Sequence, residues 1–366
     1  MRDFQDYNLK GHNTFGIEAK CKRFIEFETV EEAQTVAALL READMPYIII
    51  GGGSNLLLTK DYEGIVVRSD VLGLHIDGDR MICGSGEVFD EVVEASLKAG
   101  LYGLENLSLI PGDVGASAVQ NIGAYGVEAK DYIETIEAVE IATGRVVEIA
   151  AKDCGYAYRQ SRFKQDWKNR YLITHVTYRL STTFTPHLDY GNIREALQQA
   201  QGPQAATAET VEPQQLRETI IAIRNAKLPD PKVTGNAGSF FMNPIVSRDT
   251  YEQLAQQYAG MPHYEVDADH VKIPAGWMID QCGWKGKALG RAGVHDKQAL
   301  VLVNLVGLHQ RRATGTLVLG ICTLTDLTLA SDHRYAARCS RSQKRQFHII
   351  FTSGRISIPN LVLTSA

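Results

Sequence analysis

Ile48-Ile49-Ile50-Gly51-Gly52-Gly53-Ser54-Asn55 runs from three β-branched apolar residues straight into three glycines and two small polar residues. With Tyr47, the apolar half reads as a short buried strand. The glycine half admits two readings. It is either a tight turn between strands or a cradle whose amides converge on an anion, because a diphosphate can approach a backbone that carries no Cβ atoms. Outward from this point the pattern is regular. Upstream, Thr29 and Glu32 form a Thr-x-x-Glu capping box, Val30, Ala33, Ala37 and Leu40 fall on one helical face, and Phe24-Ile25-Glu26-Phe27 alternates as a strand. Downstream, a further strand ends near Arg68, so the segment reads as an α/β unit. A second unit follows, with Met81-Ile82-Cys83 as strand and Glu87 to Ala99 as a helix burying Phe89, Val92, Val93 and Leu97. Strands resume at Ile136 to Ile149, broken at Thr143-Gly144, and at Tyr171 to Leu180. The polar stretch Gln198 to Pro213 reads as a surface loop or domain junction, and Gln214 to Ala226 as a helix ended by Leu228-Pro229-Asp230-Pro231.

The chain has 366 residues, 44% hydrophobic and 22% charged, with a net charge of −5. At roughly 150 residues per domain this allows two or three domains. A mildly acidic balance offers no basic face for a phosphate backbone, which argues against nucleic acid as a partner. The six cysteines are scattered without a C-x-x-C pair, so no zinc ribbon, redox dithiol or disulfide framework is indicated, and no metal site is expected. Met1-Arg2-Asp3-Phe4-Gln5-Asp6 carries acids where a signal peptide needs bases. The most apolar run, Ala299 to Leu308, is interrupted by Asn304 and falls short of the ~20 residues a membrane span needs. The expectation is a soluble, cytoplasmic monomer with reduced thiols and no membrane or nucleic-acid partner.

Two dinucleotide patterns fail. Neither Gly51-x-Gly53 nor Gly84-x-Gly86 has the third glycine, since Leu56 and Phe89 stand there, and Gly286-Lys287 is followed by Ala288 rather than Ser or Thr. Three other stretches stand out. Pro111-Gly112-Asp113-Val114-Gly115-Ala116-Ser117-Ala118-Val119-Gln120-Asn121-Ile122-Gly123-Ala124-Tyr125-Gly126 lies within a segment, Gly103 to Gly126, that has too little periodicity for a long helix or sheet and reads as a working loop. Its small side chains let backbone lie against a planar or phosphorylated ligand, with Ser117, Gln120 and Asn121 as polar contacts, although close packing alone also produces such a run. In Gly238-Ser239-Phe240-Phe241, a serine beside two aromatics could be held partly desolvated and donate a proton, while the Gly-x-Ser-x-Gly elbow of a nucleophile is absent; an ordinary turn serine is the alternative. In Tyr156-Ala157-Tyr158-Arg159-Gln160-Ser161-Arg162-Phe163-Lys164, Arg159 can stabilise developing negative charge or pin a carboxylate, or simply pack its stem on aromatic neighbours.

Taken in order with Asn13-Thr14-Phe15-Gly16, these stretches closely resemble the UDP-N-acetylenolpyruvoylglucosamine reductase family over about residues 10 to 304. Tyr190, in Leu188-Asp189-Tyr190-Gly191, resembles the longer form of that family, whose extra loop carries a tyrosine over the substrate. The resemblance implies an α+β chain built from α/β units: an FAD-binding fold of the vanillyl-alcohol-oxidase type, then a C-terminal α+β substrate domain. It implies FAD held by Gly51, Gly52, Gly53, Ser54 and Asn55, and by Pro111, Gly112, Gly115, Ala116, Ser117, Gln120, Asn121, Gly123, Ala124, Tyr125 and Gly126. NADPH would reduce the flavin, and hydride would pass to the enolpyruvyl C3 of a UDP-sugar in peptidoglycan synthesis. Ser239 would protonate C2 and Arg159 would stabilise the enolate-like intermediate. The UDP-sugar maps onto Tyr190, Lys227, Asn243, Tyr264, Lys272 and Gln298, the two lysines suiting a diphosphate.

The resemblance stops after Asn304. The family continues with a helix and a short strand carrying a catalytic glutamate in a Pro-Glu-Val context, whereas Leu305 to Ala366 contains no glutamate and sets eight Lys and Arg against two Asp. A shifted reading frame is the favoured reading and a genuine basic extension the other; residues 306 to 366 are expected to pack poorly. The resulting division is 1–68 and 69–213 for the FAD-binding subdomains, 214–304 for the substrate domain and 305–366 for the aberrant tail. An FAD- and UDP-sugar-binding protein with little turnover, for want of the glutamate, is the alternative function.

Overall fold

The computed structural model describes residues 1–202, 207–256, 258–305 and 361–362. The chain divides into two compact units. The first comprises Met1–Asn8, Lys20–Gly53 and Tyr62–Ala226, and the second Leu9–Ala19, Ser54–Asp61 and Lys227–Ala366.

In the first unit, β1 (Arg2–Asn8) lies antiparallel to β2 (Lys20–Phe27). Helix α1 (Val30–Glu42) then crosses to β3 (Tyr47–Ile50). The two-residue strand β4 (Leu57–Leu58) belongs to the second unit, and β5 (Tyr62–Ser69) returns parallel to both β2 and β3, giving the order β1-β2-β5-β3. The capping box forms as read: Thr29 Oγ1 accepts the Glu32 amide at 3.2 Å, and Glu32 reaches back to the Glu28 amide at 2.7 Å. The buried face of α1 (Ala33, Val36, Ala37, Leu40) packs on Ile25, Phe27, Ile65 and Val67 of this sheet and on Val139, Ile141 and Leu172 of the next.

That next sheet is antiparallel. β6 (Leu74–Asp77) and β7 (Arg80–Gly84) form its first hairpin, followed by α2 (Phe89–Lys98), α3 (Val114–Gln120) and the small ribbon of β8 (Gly123–Ala124) and β9 (Val127–Glu128). β10 (Ile133–Glu140), β11 (Val146–Ala150) and β12 (Tyr171–Arg179) complete the order β11-β10-β12-β7-β6. Helix α4 (Ile193–Gln201) and α5 (Pro213–Lys227) pack through Ile193, Leu197, Leu216, Ile220 and Ile223. Two expectations are corrected here. Gln198–Gln201 is the last turn of α4 rather than loop, because Ile193 and Leu197, four residues apart, anchor the helix from its other end. The segment read as a working loop contains α3, whose seven residues are too short and too small to show an amphipathic period.

In the second unit, β13 (Asn236–Ser239) pairs with the last strand of a four-stranded sheet. Next come β14 (Ile245–Ser247), α6 (Arg248–Ala255), β15 (Tyr264–Glu265), β16 (His270–Lys272) and α7 (Ala275–Gln281). The four-stranded sheet, β13-β19-β18-β17, is closed by β17 (Ala288–Leu289), β18 (Ala292–Val294) and β19 (Val301–Asn304). The Asn13-Thr14-Phe15-Gly16 motif is part of this unit's frame. Asn13 donates to the carbonyls of Leu9 and Ile17 at 2.8 and 2.9 Å, and Asn304 donates to that of Phe15 at 2.9 Å. Beyond residue 305 only Leu361–Val362 are described, as a strand parallel to β4; the packing expected of residues 306 to 366 otherwise lies outside the described residues. Among the described residues no helix is long and apolar enough to cross a membrane.

Candidate functional site

The first unit brings two of the glycine-rich stretches together. A Cβ on Gly51 would stand 2.8 Å from the Ala116 Cβ, and one on Gly52 would stand 2.8 Å from Asp113 Oδ1 and 3.5 Å from the Gly112 Cα. Gly53 (φ +66°) and Gly112 (φ +114°) occupy backbone conformations that favour glycine. The turn after β3 therefore lies against residues 112–116 as bare backbone. Not every amide there faces outward, since those of Val114 and Gly115 bond the carbonyls of Glu87 and Ser85, both at 2.9 Å.

Beneath the turn sits Asp113, 6% exposed. Burial pushes its carboxyl up to about 6, against the opposing charge of Arg68. Arg68 Nη2 stands 3.5 Å from Asp113 Oδ2, and the Arg68 guanidinium also bonds Glu26 at 2.8 Å. Among the described residues Asp113 Oδ2 and Arg68 Nε have no hydrogen-bond partner.

Polar residues read as ligand contacts turn out to be engaged internally. Ser117 Oγ bonds the Val114 carbonyl at 2.6 Å and the Tyr178 hydroxyl at 2.8 Å. Asn121, fully buried with φ +47°, donates to Glu128 and to the Ala157 carbonyl, both at 2.9 Å, and accepts from the Lys130 amide. Gln120 accepts from Lys164 at 2.7 Å. These contacts fasten α3 and the residue after it to Tyr178, Ala157 and Lys164, just ahead of the backbone of Gly123 to Gly126.

Around that backbone three cations gather. Arg159, itself at φ +55°, donates from its guanidinium to the Gly123 carbonyl. Lys164 is held down at about 8, by burial and then by the charge of Arg159. Arg224 on α5 is pushed below the usual arginine range mainly by burial, with the Arg159 charge adding to the shift, and among the described residues its Nε has no hydrogen-bond partner. Among the described residues none of the three has a carboxylate within ion-pair distance, an arrangement that favours an anionic ligand. The buried Asn106 donates to the carbonyls of Tyr125 and His187, both at 2.9 Å, which brings the exposed Tyr190 beside Gly126: a Cβ there would stand 3.3 Å from that of Tyr190.

In the second unit, four expected substrate residues converge on the start of α7. Asn243 Oδ1 accepts the Ala275 amide at 2.9 Å, Gln298 Oε1 lies 3.5 Å from where a Cβ of Gly276 would be, and Lys272 ends the strand leading into the helix. The Lys272 ammonium sits 5.6 Å from the Tyr264 ring centroid, across the β15–β16 pair. Lys227 is the exposed last residue of α5. Ser239 ends β13 opposite Val301; Phe240 and Phe241 are buried, but Ser239 is exposed rather than desolvated.

A model described as FAD binding domain matches residues 21–150, and one described as UDP-N-acetylenolpyruvoylglucosamine reductase, C-terminal domain, matches residues 230–319. The UDP-N-acetylenolpyruvoylglucosamine reductase of Bacteroides fragilis (strain YCH46) is 52% identical over 308 residues, spanning 83% of this chain and 90% of that protein. The chain belongs to the UDP-N-acetylenolpyruvoylglucosamine reductase family. The family's enzyme from Burkholderia multivorans is 42% identical over 323 residues, 86% of this chain and 89% of that one. The solved reductase of Thermus caldophilus, at 22% identity, superposes with a TM-score of 0.60 over 89% of this chain and 93% of that one. It shares the fold, an FAD-binding domain of the vanillyl-alcohol-oxidase type followed by a C-terminal α+β domain. The chain is thus an FAD-dependent oxidoreductase; at Gly51 and Gly52 its glycine turn packs on residues 112–116 more closely than any side chain would allow, leaving bare backbone there.

Sequence reading did not single out Arg224 or Lys164 as functional. A cation carries no mark in sequence until the fold removes carboxylates from around it.

Proposed function

We propose that this chain reduces the enolpyruvyl ether of UDP-N-acetylglucosamine to the lactyl ether, giving UDP-N-acetylmuramate for peptidoglycan synthesis, with NADPH as the electron donor. The observation that carries this reading is the group of Arg159, Lys164 and Arg224 around Gly123 to Gly126 with no paired acid among the described residues, a surrounding that suits a substrate carboxylate gaining charge. FAD supplies the chemistry of accepting hydride from NADPH and delivering it to C3 of the enolpyruvyl group. The protein's part is electrostatic and acid–base. Hydride addition at C3 leaves the electron pair spread over C2 and the carboxylate, and Arg159 stabilises that charge. Ser239 Oγ gives its proton to C2, and water replaces it because Ser239 is exposed. The balance is one NADPH and one proton consumed per ether reduced.

In this reading Lys227 and Lys272 pair with the diphosphate, Tyr264 and Asn243 flank it, and Gln298 bridges nucleotide groups. Tyr190 covers the substrate from beside Gly126. FAD lies along Gly51 to Asn55 and Pro111 to Gly126, contacted mainly through backbone, given how Ser117 and Asn121 are engaged. We place the enzyme in the cytoplasm as a monomer, where NADPH is available.

One observation favours a second reading: residues 305 to 366 contain no glutamate, where the family resemblance implies a catalytic one. The protein would then bind FAD and UDP-sugar with little turnover. Incubating the purified, FAD-loaded chain with NADPH and the enolpyruvyl substrate and weighing the sugar nucleotide separates the two. A product heavier by two hydrogens supports the reductase; bound flavin and substrate with no mass change support the second reading.

A further inference from the structure

Lys164 closes the short 3-10 turn Arg162–Lys164, five residues after Arg159. Its ammonium donates to the Arg159 carbonyl at 2.7 Å and to Gln120 Oε1 at 2.7 Å. Arg159 is held where non-glycine residues are uncommon, at φ +55°, so something in the surroundings must fix it. Among the described residues, Lys164 is the side chain that grips the Arg159 main chain itself. Other side chains fasten its flanks to the end of α3: Ser161 Oγ donates to the Val119 carbonyl at 2.6 Å, and Asn121 donates to the Ala157 carbonyl at 2.9 Å.

The charged surroundings of Lys164 are one-sided. Arg159 faces it from its own loop, and the uncharged Gln120 from α3. In its own turn Arg162 is engaged by Asp166, while Glu128, beyond Asn121, lies 3.6 Å from Lys130. No acid among the described residues neutralises Lys164, so its charge adds to that of Arg159 rather than cancelling elsewhere.

We propose that Lys164 is a positioning residue for Arg159: it pins the left-handed backbone that aims the guanidinium at the substrate's developing charge, and it lends its own positive charge to that spot. The proposal rests on the reading of Arg159 given above. Because burial and Arg159 hold Lys164 at about 8, the wild-type enzyme loses this charge as pH rises through and above that value, while the neutral amine still donates to the carbonyl.

The test compares the two half-reactions in FAD-loaded protein. Lys164→Met should leave flavin reduction by NADPH within about twofold of wild type and slow substrate reduction by roughly 10 to 10²-fold, chiefly in the limiting rate rather than in substrate KM. In an Arg159→Ala background the same substitution should cost clearly less than it does alone, since the pinned backbone then has no guanidinium to aim and only the charge of Lys164 is left to act. Lys164→Arg keeps a cation at every working pH, so the alkaline fall in the substrate-reduction rate seen in wild type should be absent. Multiplicative losses in the double variant, or an alkaline fall unchanged in Lys164→Arg, would overturn the proposal while leaving Arg159 in its role. An Arg159→Ala enzyme as fast as wild type would overturn both. Should Lys164→Met fail to fold or to retain flavin, the pH profile of Lys164→Arg decides alone.

Discussion

Asp113 Oδ1 stands 2.8 Å from where a Cβ on Gly52 would be, so the glycine turn after β3 and the residues leading into α3 are in contact through the absence of a side chain. Gly52→Val would force the turn away from Asp113 and Gly112. The expected result is a folded protein whose FAD affinity falls at least about tenfold, read as flavin content and by titration of the stripped protein. Gly53→Val should do the same for a different reason, since φ +66° is strained for a β-branched residue. Full flavin occupancy in both variants would show that the turn does not approach the cofactor.

Asp113 also gives stability a pH dependence. Its folded carboxyl titrates near 6 against an ordinary 3.8, so between those values the folded state holds the proton more tightly than the unfolded chain. Stability from this group is therefore present at low pH and lost as pH rises toward 6, by up to about 3 kcal/mol. Asp113→Asn lacks that loss, while Arg68 keeps Glu26 and Asp70 as partners. The variant's melting temperature should gain on wild type as pH goes from 4 to 7. A difference that stays constant with pH would contradict the assignment.

Ser239→Ala should leave reduction of the flavin by NADPH nearly unchanged and slow the following half-reaction by roughly 10² to 10⁴, because the proton is needed only once hydride has moved. Stopped-flow absorbance of the two steps checks this. Equal slowing of both would remove Ser239 from the acid role.

Much of the frame was legible because its residues obey one period at a time. The Thr29 cap, the Ala33-Ala37-Leu40 face and the Ile48-Ile49-Ile50 run each state a single local structure. α3 was not legible, since Val114 to Gln120 is short and built of small residues whose burial comes from close approach, as of Gly115 to Ser85. The site shows a similar split. The glycines at 51 and 52 are where contact demands them, but nothing in sequence distinguishes a polar side chain facing a ligand from one facing a carbonyl, which is where Ser117 and Asn121 are used. Arg224 and Lys164 draw their character from burial and from the nearby charge of Arg159, both of which exist only after folding.

The tail makes its own prediction from sequence. If the frame has shifted, translating the coding DNA beyond the Asn304 codon in one of the other two frames should yield a Pro-Glu-Val-like ending, and a chain carrying it should turn over roughly 10² to 10⁴ times faster. If neither frame yields such an ending, the basic segment with its eight Lys and Arg is genuine and needs an account of its own.

The central claim is that this protein carries electrons from NADPH through bound FAD to an enolpyruvyl UDP-sugar. The most direct measurement is anaerobic and uses one sample: the yellow protein is bleached with a single equivalent of NADPH, and UDP-N-acetylglucosamine enolpyruvate is then added. The flavin absorbance should disappear at the first step and return at the second, with one equivalent of UDP-N-acetylmuramate formed. A flavin that stays reduced after the enolpyruvyl substrate is added, or that NADPH does not bleach, would contradict the claim.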